Sequence, residues 1–217
     1  MKTLKYIILG VILSSLIFSS FSFSPSGKNT RQSEGVIFCE TYTQQELVSR
    51  LSTEDSFFKW IQMEETDPGS SKIGTCTEVD FKLLWNYIQG EAFLSKVPED
   101  LFIAAGVEME DQMIPLYAIR KSTAKEAFPS KQDLAEVSIR KDGHEENYGL
   151  FLSFSESGTK KLASITRSSL GRDMAILFNG TVLSAPRVRE EIKDGKCMIS
   201  GKFTESEARQ LKSILDN

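Results

Sequence analysis

The chain has 217 residues, 40% of them hydrophobic and 26% charged, the make-up of an ordinary globular protein. Its formal charge of −4 is uneven: residues 34–148 carry 11 basic against 22 acidic side chains, residues 149–217 carry 11 against 8. An acidic front half argues against a nucleic-acid partner, because phosphate binding needs a basic face. Length alone fits one domain of common size, or two small ones, once a targeting segment is set aside.

That segment opens the chain. Lys2 and Lys5 precede an apolar run from Tyr6 to Phe18, and serines follow to Ser24. Basic, apolar and small-residue regions in this order make a secretory signal. An uncleaved anchor is the competing reading, since Tyr6 to Phe23 is near the lower length limit of a spanning helix, although serines dilute it. Residues 1–24 are therefore a signal peptide or N-terminal anchor, and the polar stretch 25–34, with Pro25 and Gly27, is a linker. Both readings put the folded remainder, residues 35–217, outside the cytoplasmic membrane; the anchor reading adds membrane association.

Gly35 to Cys39 reads as a short strand, and Thr43 with Glu46 as a capping box opening a helix that carries Leu47, Leu51, Phe58 and Ile61. Asp67 to Ser71 is a loop. Thr77 opens a second helix, in which Phe81, Leu84, Trp85 and Ile88 share one face, and Gly90 stops or kinks it. Pro98 separates a short helical piece from a strand at Leu101 to Ala105. Met113 to Ile119 is another strand, and Pro115 within it implies an edge or a bulge. Leu134 to Ile139 alternates with period two. Residues 141–147 turn the chain into the apolar strand Gly149 to Phe154.

The last third is the most strongly marked. Ser155 caps a helix carrying Leu162, Ile165, Thr166 and Leu170, with Gly171 as its stop. Asp173 to Phe178 and Thr181 to Ala185 flank Asn179-Gly180, the dipeptide that best fits a type I′ hairpin turn. Pro186 ends the second strand. Cys197 to Ser200 is a further short strand, and Thr204 with Glu207 caps a closing helix whose buried face is Ala208, Leu211, Ile214 and Leu215. Strands joined by hairpins and single helices, without a regular βαβ series, give an α+β fold: a mainly antiparallel sheet with helices packed on one face.

Chemistry is sparse. His144 is the only histidine, in a charged turn, and an imidazole there lacks the nucleophile and orienting carboxylate that catalysis requires. Glu64-Glu65-x-Asp67 and Glu108-x-Glu110-Asp111 lack calcium-loop spacing and read as solvated loop charge. Cys39, Cys76 and Cys197 form no metal-ligand pattern; one disulfide is allowed in an oxidising compartment, with no pairing specified, and three buried apolar residues is the other reading. Asn179-Gly180-Thr181 is formally a glycosylation acceptor, relevant only in a eukaryotic secretory route. No catalytic residue, metal or cofactor is expected, and the chain does not read as an enzyme. What remains is a surface for polypeptide, because exposed strand edges capture extended chains through main-chain hydrogen bonds.

The run from Gly171 to Pro186, followed by Ile199-Ser-Gly-Lys-Phe-Thr-Glu-Ser-Glu-Ala208, resembles the first large extracytoplasmic (P1) domain of the SecD/SecDF family, membrane subunits of the bacterial Sec protein-export machinery. Leu116-Tyr-Ala-Ile119 and Phe154-Ser-x-x-Gly-x-Lys160 are similar as well, as is the early Phe38-Cys-Glu-Thr-Tyr42 with its following helix, so the likeness covers roughly Gly35 to the end and is strongest after Met113. It implies a base and a protruding head, the head roughly at residues 100–200. It also implies a non-enzymatic accessory of export whose partners are polypeptide or Sec translocase components. Candidate polypeptide-binding residues lie around the hairpin: Phe178, Val182, Pro186 and Val188. The family's proton-conducting membrane helices have no counterpart in this sequence, which carries one apolar segment. The expectation is therefore an outward-facing domain without its own proton-driven motor. The alternative is a free-standing envelope interaction or structural module that reuses the fold.

Overall fold

A computed structural model describes residues 35–52, 54–107, 112–121, 128–141 and 147–216. The expected signal or anchor and its linker therefore lie outside the described residues. In chain order the elements are β1 (Val36–Glu40), α1 (Gln44–Val48), a 3-10 helix (Ser56–Trp60), β2 (Gln62–Met63) and β3 (Lys72–Cys76). There follow α2 (Glu78–Ile88), α3 (Glu91–Leu94), β4 (Leu101–Ala105), β5 (Ile114–Arg120), a 3-10 turn (Lys131–Asp133), β6 (Leu134–Lys141) and β7 (Tyr148–Phe154). The chain closes with α4 (Glu156–Ser168), β8 (Met174–Phe178), β9 (Thr181–Ser184), β10 (Lys196–Phe203) and α5 (Glu205–Asp216).

These strands make three sheets, ordered β1-β8-β9, β10-β7-β6 and β2-β3-β5-β4, with every neighbouring pair antiparallel. The fold is α+β, as the sequence implies. The Asn179-Gly180 turn joins β8 to β9, and both residues take positive φ (47° and 85°), as a type I′ turn demands.

The strand β8 is buried along its whole length, and its two faces serve different cores. Met174, Ile176 and Phe178 project into a large cluster with Val36 and Phe38 of β1, Leu150 and Leu152 of β7, Leu162 of α4, and Leu211 and Leu215 of α5. Ala175 and Leu177 project the other way, against Cys39, Ala104, Ile119 and Val182. Alternation along a pleated strand makes this possible, and a continuous apolar run is the sequence such a strand needs. Stacked Phe128 and Phe154 rings, with Phe38 edge-on to Phe128, fill one end of the larger cluster.

Polar residues tie the segments around β8 together. The Asp173 carboxylate is buried and accepts from the Ser71 N–H (2.7 Å), the Ser71 hydroxyl (3.1 Å) and Arg187 Nε (2.9 Å). Arg187 also donates to the Pro68 carbonyl (2.6 Å), and Thr41 Oγ1 donates to the Asp173 carbonyl (2.6 Å). A close backbone approach completes the joint, since a Cβ on Gly69, whose φ is +94°, would lie 2.1 Å from the Gly171 carbonyl oxygen. Beside it Arg172 grips Glu46 with two bonds, 2.8 and 2.7 Å. Glu46 is also the second half of the Thr43 capping box. That bidentate bond from Arg172, with the Thr43 N–H, outweighs burial and holds the Glu46 carboxyl at about 2.

Several local expectations are corrected. The helix foreseen from Thr43 to Ile61 is two pieces, because the Asp55 side chain takes the Phe57 N–H and starts a new 3-10 turn there. Pro115 lies not at an edge but in an interior strand between β3 and β4, at its second residue, and the β3–β5 ladder shifts register close by, between Lys72 and Gly74. Leu170 and Ile214 are exposed: Leu170 falls beyond the end of α4, and Ile214 lies beside rather than on the buried face of Ala208, Leu211 and Leu215. Gly90 stops α2 and then serves as the N-cap of α3.

Two outcomes follow from this architecture. Leu177→Ala removes a fully buried side chain from the double-sided strand and lowers the unfolding free energy by about 2–5 kcal/mol in urea titration. The Glu46 carboxyl is held low when folded, so its contribution is complete above its ordinary value of 4.5 and is lost as pH falls toward about 2. Glu46→Gln should therefore flatten the fall in stability across that window; an unchanged slope would show that the Arg172 bond contributes nothing.

Candidate functional site

The four hairpin residues are not equivalent in the structure. Phe178 lies in the large core, Val182 in the smaller one, and Val188 is buried in the large core as well. Pro186 is exposed, and its carbonyl accepts from the Met174 N–H (3.0 Å). The hairpin thus brings Phe178 and Val182 to opposite faces of one small sheet, while Pro186 and Val188 run alongside residues 171–174. Gly171 N–H donates to the Val188 carbonyl and Val188 N–H to the Arg172 carbonyl, both at 2.9 Å.

Groups that carry catalysis in other proteins are engaged elsewhere or quiet. Burial pushes the Cys39 and Cys197 thiols up to about 12 and Cys76 up to about 11, so all three rest as weakly nucleophilic free thiols rather than as a disulfide. Asp55 is enclosed by the Lys96 ammonium (2.5 Å), the Tyr87 hydroxyl (2.7 Å) and the Phe57 N–H (2.9 Å). Burial alone would raise its carboxyl, yet these donors hold it below the ordinary range. Asp133 is likewise buried, bound to Lys161 (2.8 Å) and to both Ser130 donors. Its own carbonyl accepts the Ser155 N–H, and it packs so closely on Gly158 that a Cβ there would lie 2.1 Å away. Among the described residues no three His, Cys, Asp or Glu side chains are placed to hold a metal ion. Glu64 pairs with Lys72 (2.7 Å). His144 and the Glu108 to Asp111 cluster lie outside the described residues.

The sheet β10-β7-β6 presents a different kind of surface. Strand register separates its two faces: Val137, Leu150, Leu152 and Ile199 point into the core, while Ser138, Arg140, Phe151, Ser153, Lys196 and Met198 point away from it. Met198, Phe151 and Ser138 lie side by side across the three strands. The Arg140 guanidinium stands 3.7 Å over the centre of the Phe151 ring, a cation–π contact at the surface. Met198 lies across Gly149, whose missing side chain leaves the space: a Cβ there would be 2.6 Å from the Met198 terminal methyl. The result is an apolar floor of Phe151 and Met198 bordered by Arg140 and Lys196, with β6 and β10 as the sheet's two edge strands. The sequence held the signal for this face in the period-two alternation of Leu134 to Ile139 and in Gly149, but the pairing that places Met198 beside Phe151 spans 47 residues and has no local trace.

Residues 117–217, which contain this sheet and the β8–β9 hairpin, match the family model described as SecDF, P1 head subdomain. The SecD protein translocase subunit of Acidaminococcus fermentans is 45% identical over 64 residues, 30% of this chain and 15% of that protein. SecD of Calditerrivibrio nitroreducens is 28% identical over 155 residues, 69% of this chain and 30% of its own length. The matches therefore span less than a third of these relatives. A solved structure described as a membrane component, SecDF, that enhances protein export covers 83% of this chain and 92% of its own, at 16% identity and a TM-score of 0.40. No helix among the described residues is long and apolar enough to cross a membrane. The segment that carries the Asn-Gly hairpin and the sheet β10-β7-β6 is thus similar to the P1 head subdomain of SecDF, and over 69% of its length the chain is similar to SecD.

Proposed function

We propose that this domain serves protein export on the outer side of the cytoplasmic membrane, as a non-enzymatic element that holds extended polypeptide. The reading rests on the sheet β10-β7-β6, which lies within the segment matching the P1 head and offers both an apolar outward face and two strand edges. An edge strand binds an incoming chain through main-chain hydrogen bonds that are indifferent to its side chains. Phe151 and Met198 give that chain apolar contact, and Arg140 and Lys196 give it charge. Generic capture of this kind suits a substrate population of many sequences. Pro186 contributes directly from the exposed strap after β9, and Phe178, Val182 and Val188 contribute by fixing the hairpin from within the cores.

The N-terminal segment would supply the export signal or the anchor, and the translocase itself is the second partner to test. A photo-reactive amino acid placed at Ser138 or Met198 in intact cells should yield adducts with exported chains, whereas the same group at Lys82 on the exposed side of α2 should not. Adducts confined to translocase subunits would replace polypeptide capture with docking, and their absence at both positions would favour an envelope module unrelated to export. In a purified system Phe151→Ala should weaken binding of an unfolded exported chain about tenfold, the ~1.4 kcal/mol loss of an aromatic anchor.

A further inference from the structure

We propose that Asn179 is a site of covalent modification, a deamidation to aspartate or isoaspartate that the folded turn restrains and that, once it occurs, loosens the start of β1. Asn179 is exposed and is the only asparagine in the chain followed by glycine. Glycine at the next position offers a backbone nitrogen with no side chain beside it, the least hindered nucleophile a main chain supplies. In the reaction the Gly180 nitrogen bonds to Asn179 Cγ. The bond from Cγ to the side-chain nitrogen breaks, and ammonia leaves with the Gly180 proton. A five-membered succinimide remains. Water then opens it at either carbonyl, giving aspartate, or isoaspartate with the main chain routed through Cβ. No oxidant or cofactor takes part.

The turn holds this step back. Asn179 Oδ1 accepts the Gly35 N–H (3.0 Å), and the Asn179 N–H donates to the Gly35 carbonyl (3.3 Å). Both turn residues are fixed at positive φ, and Val36 pairs with Phe178 immediately beyond. To reach the Gly180 nitrogen, Asn179 Cγ must leave Gly35 and the turn must open. The reaction rate therefore reads the opening of this one corner, a far smaller event than global unfolding.

The two products differ in consequence. Aspartate keeps an oxygen where Gly35 needs its acceptor. Isoaspartate adds a methylene to a two-residue loop and retracts the carboxylate, so the hairpin loses its matched length and Gly35 its partner. Gly35, the residue that leads into β1, is then released from the turn that ends β8, the strand on which both cores rest.

The test uses the purified full-length chain, aged at neutral pH both folded and unfolded in urea. The tryptic peptide from Asp173 to Arg187 is followed for the mass gain of an amide-to-acid conversion and for separate aspartate and isoaspartate peaks. Conversion in urea, about tenfold slower in the folded chain, is expected, a local opening cost of ~1.4 kcal/mol. Gly180→Ala should suppress it in urea, where the strain of a side chain in the turn has no influence. Asn179→Asp should melt with the unmodified chain, and the isoaspartate fraction below it. No conversion in either condition, equal rates in both, or equal melting of the isoaspartate form each overturns the proposal.

Discussion

The structure depends on a strand with no exposed side. Met174 to Phe178 is hydrophobic at every position because each position faces a core, and the two cores are built from different parts of the chain. A strand in that position cannot tolerate a polar residue on either face without leaving it unpaired. Nor can it shift register by one residue, because that would exchange Met174, Ile176 and Phe178 with the smaller pair Ala175 and Leu177. Packing on both sides thus fixes the alignment, and the Asn-Gly turn and β1 fix the ends.

Around this strand the polar interactions are few and concentrated. Asp173, at its start, gathers the 67–71 loop, Thr41 and Arg187, while Arg172 reaches back to the capping box at Glu46. Part of the charge difference between the acidic front half and the basic end is met internally at this joint. Each partner is a long-range one: 126 residues separate Arg172 from Glu46, and 102 separate Asp173 from Ser71. Removing a donor from the buried Asp173 carboxylate strands that acceptor, which costs more than the bond contributes, whereas the Arg172–Glu46 pair keeps partial contact with solvent.

Features governed by neighbours in sequence could be read directly. The Asn179-Gly180 turn, the Thr43 and Thr204 capping boxes, Ser155 as N-cap and Gly171 as the stop with positive φ all depend on residues within three or four positions. Sequence and structure part where two local rules compete. Leu47, Leu51, Phe58 and Ile61 carry a helical period, but Asp55 offers the backbone a better partner and breaks the helix. Pro115 warned of an edge or a bulge; the strand is interior, and it is the β3–β5 ladder beside the proline that shifts register. The candidate surface was the least legible part. Sequence favoured the apolar hairpin residues, and Phe178, Val182 and Val188 are apolar because they are core. Phe151 and Met198 stand out only after strand pairing has assigned them to the outer face.

The pairing of β1 with β8 also sets where this molecule can be divided. The stretch recognisable as a P1 head begins at residue 117, yet the strand that completes the central sheet enters at Val36, and the smaller core draws Cys39 and Ala104 from before that boundary. A piece cut at residue 117 would carry β8 with one neighbour gone and one side wet. Such an edge is sticky, prone to pairing with a second copy of itself. The segment that matches the head model and the unit that closes its own core are therefore different lengths of the same chain, and only the longer one closes its own seams.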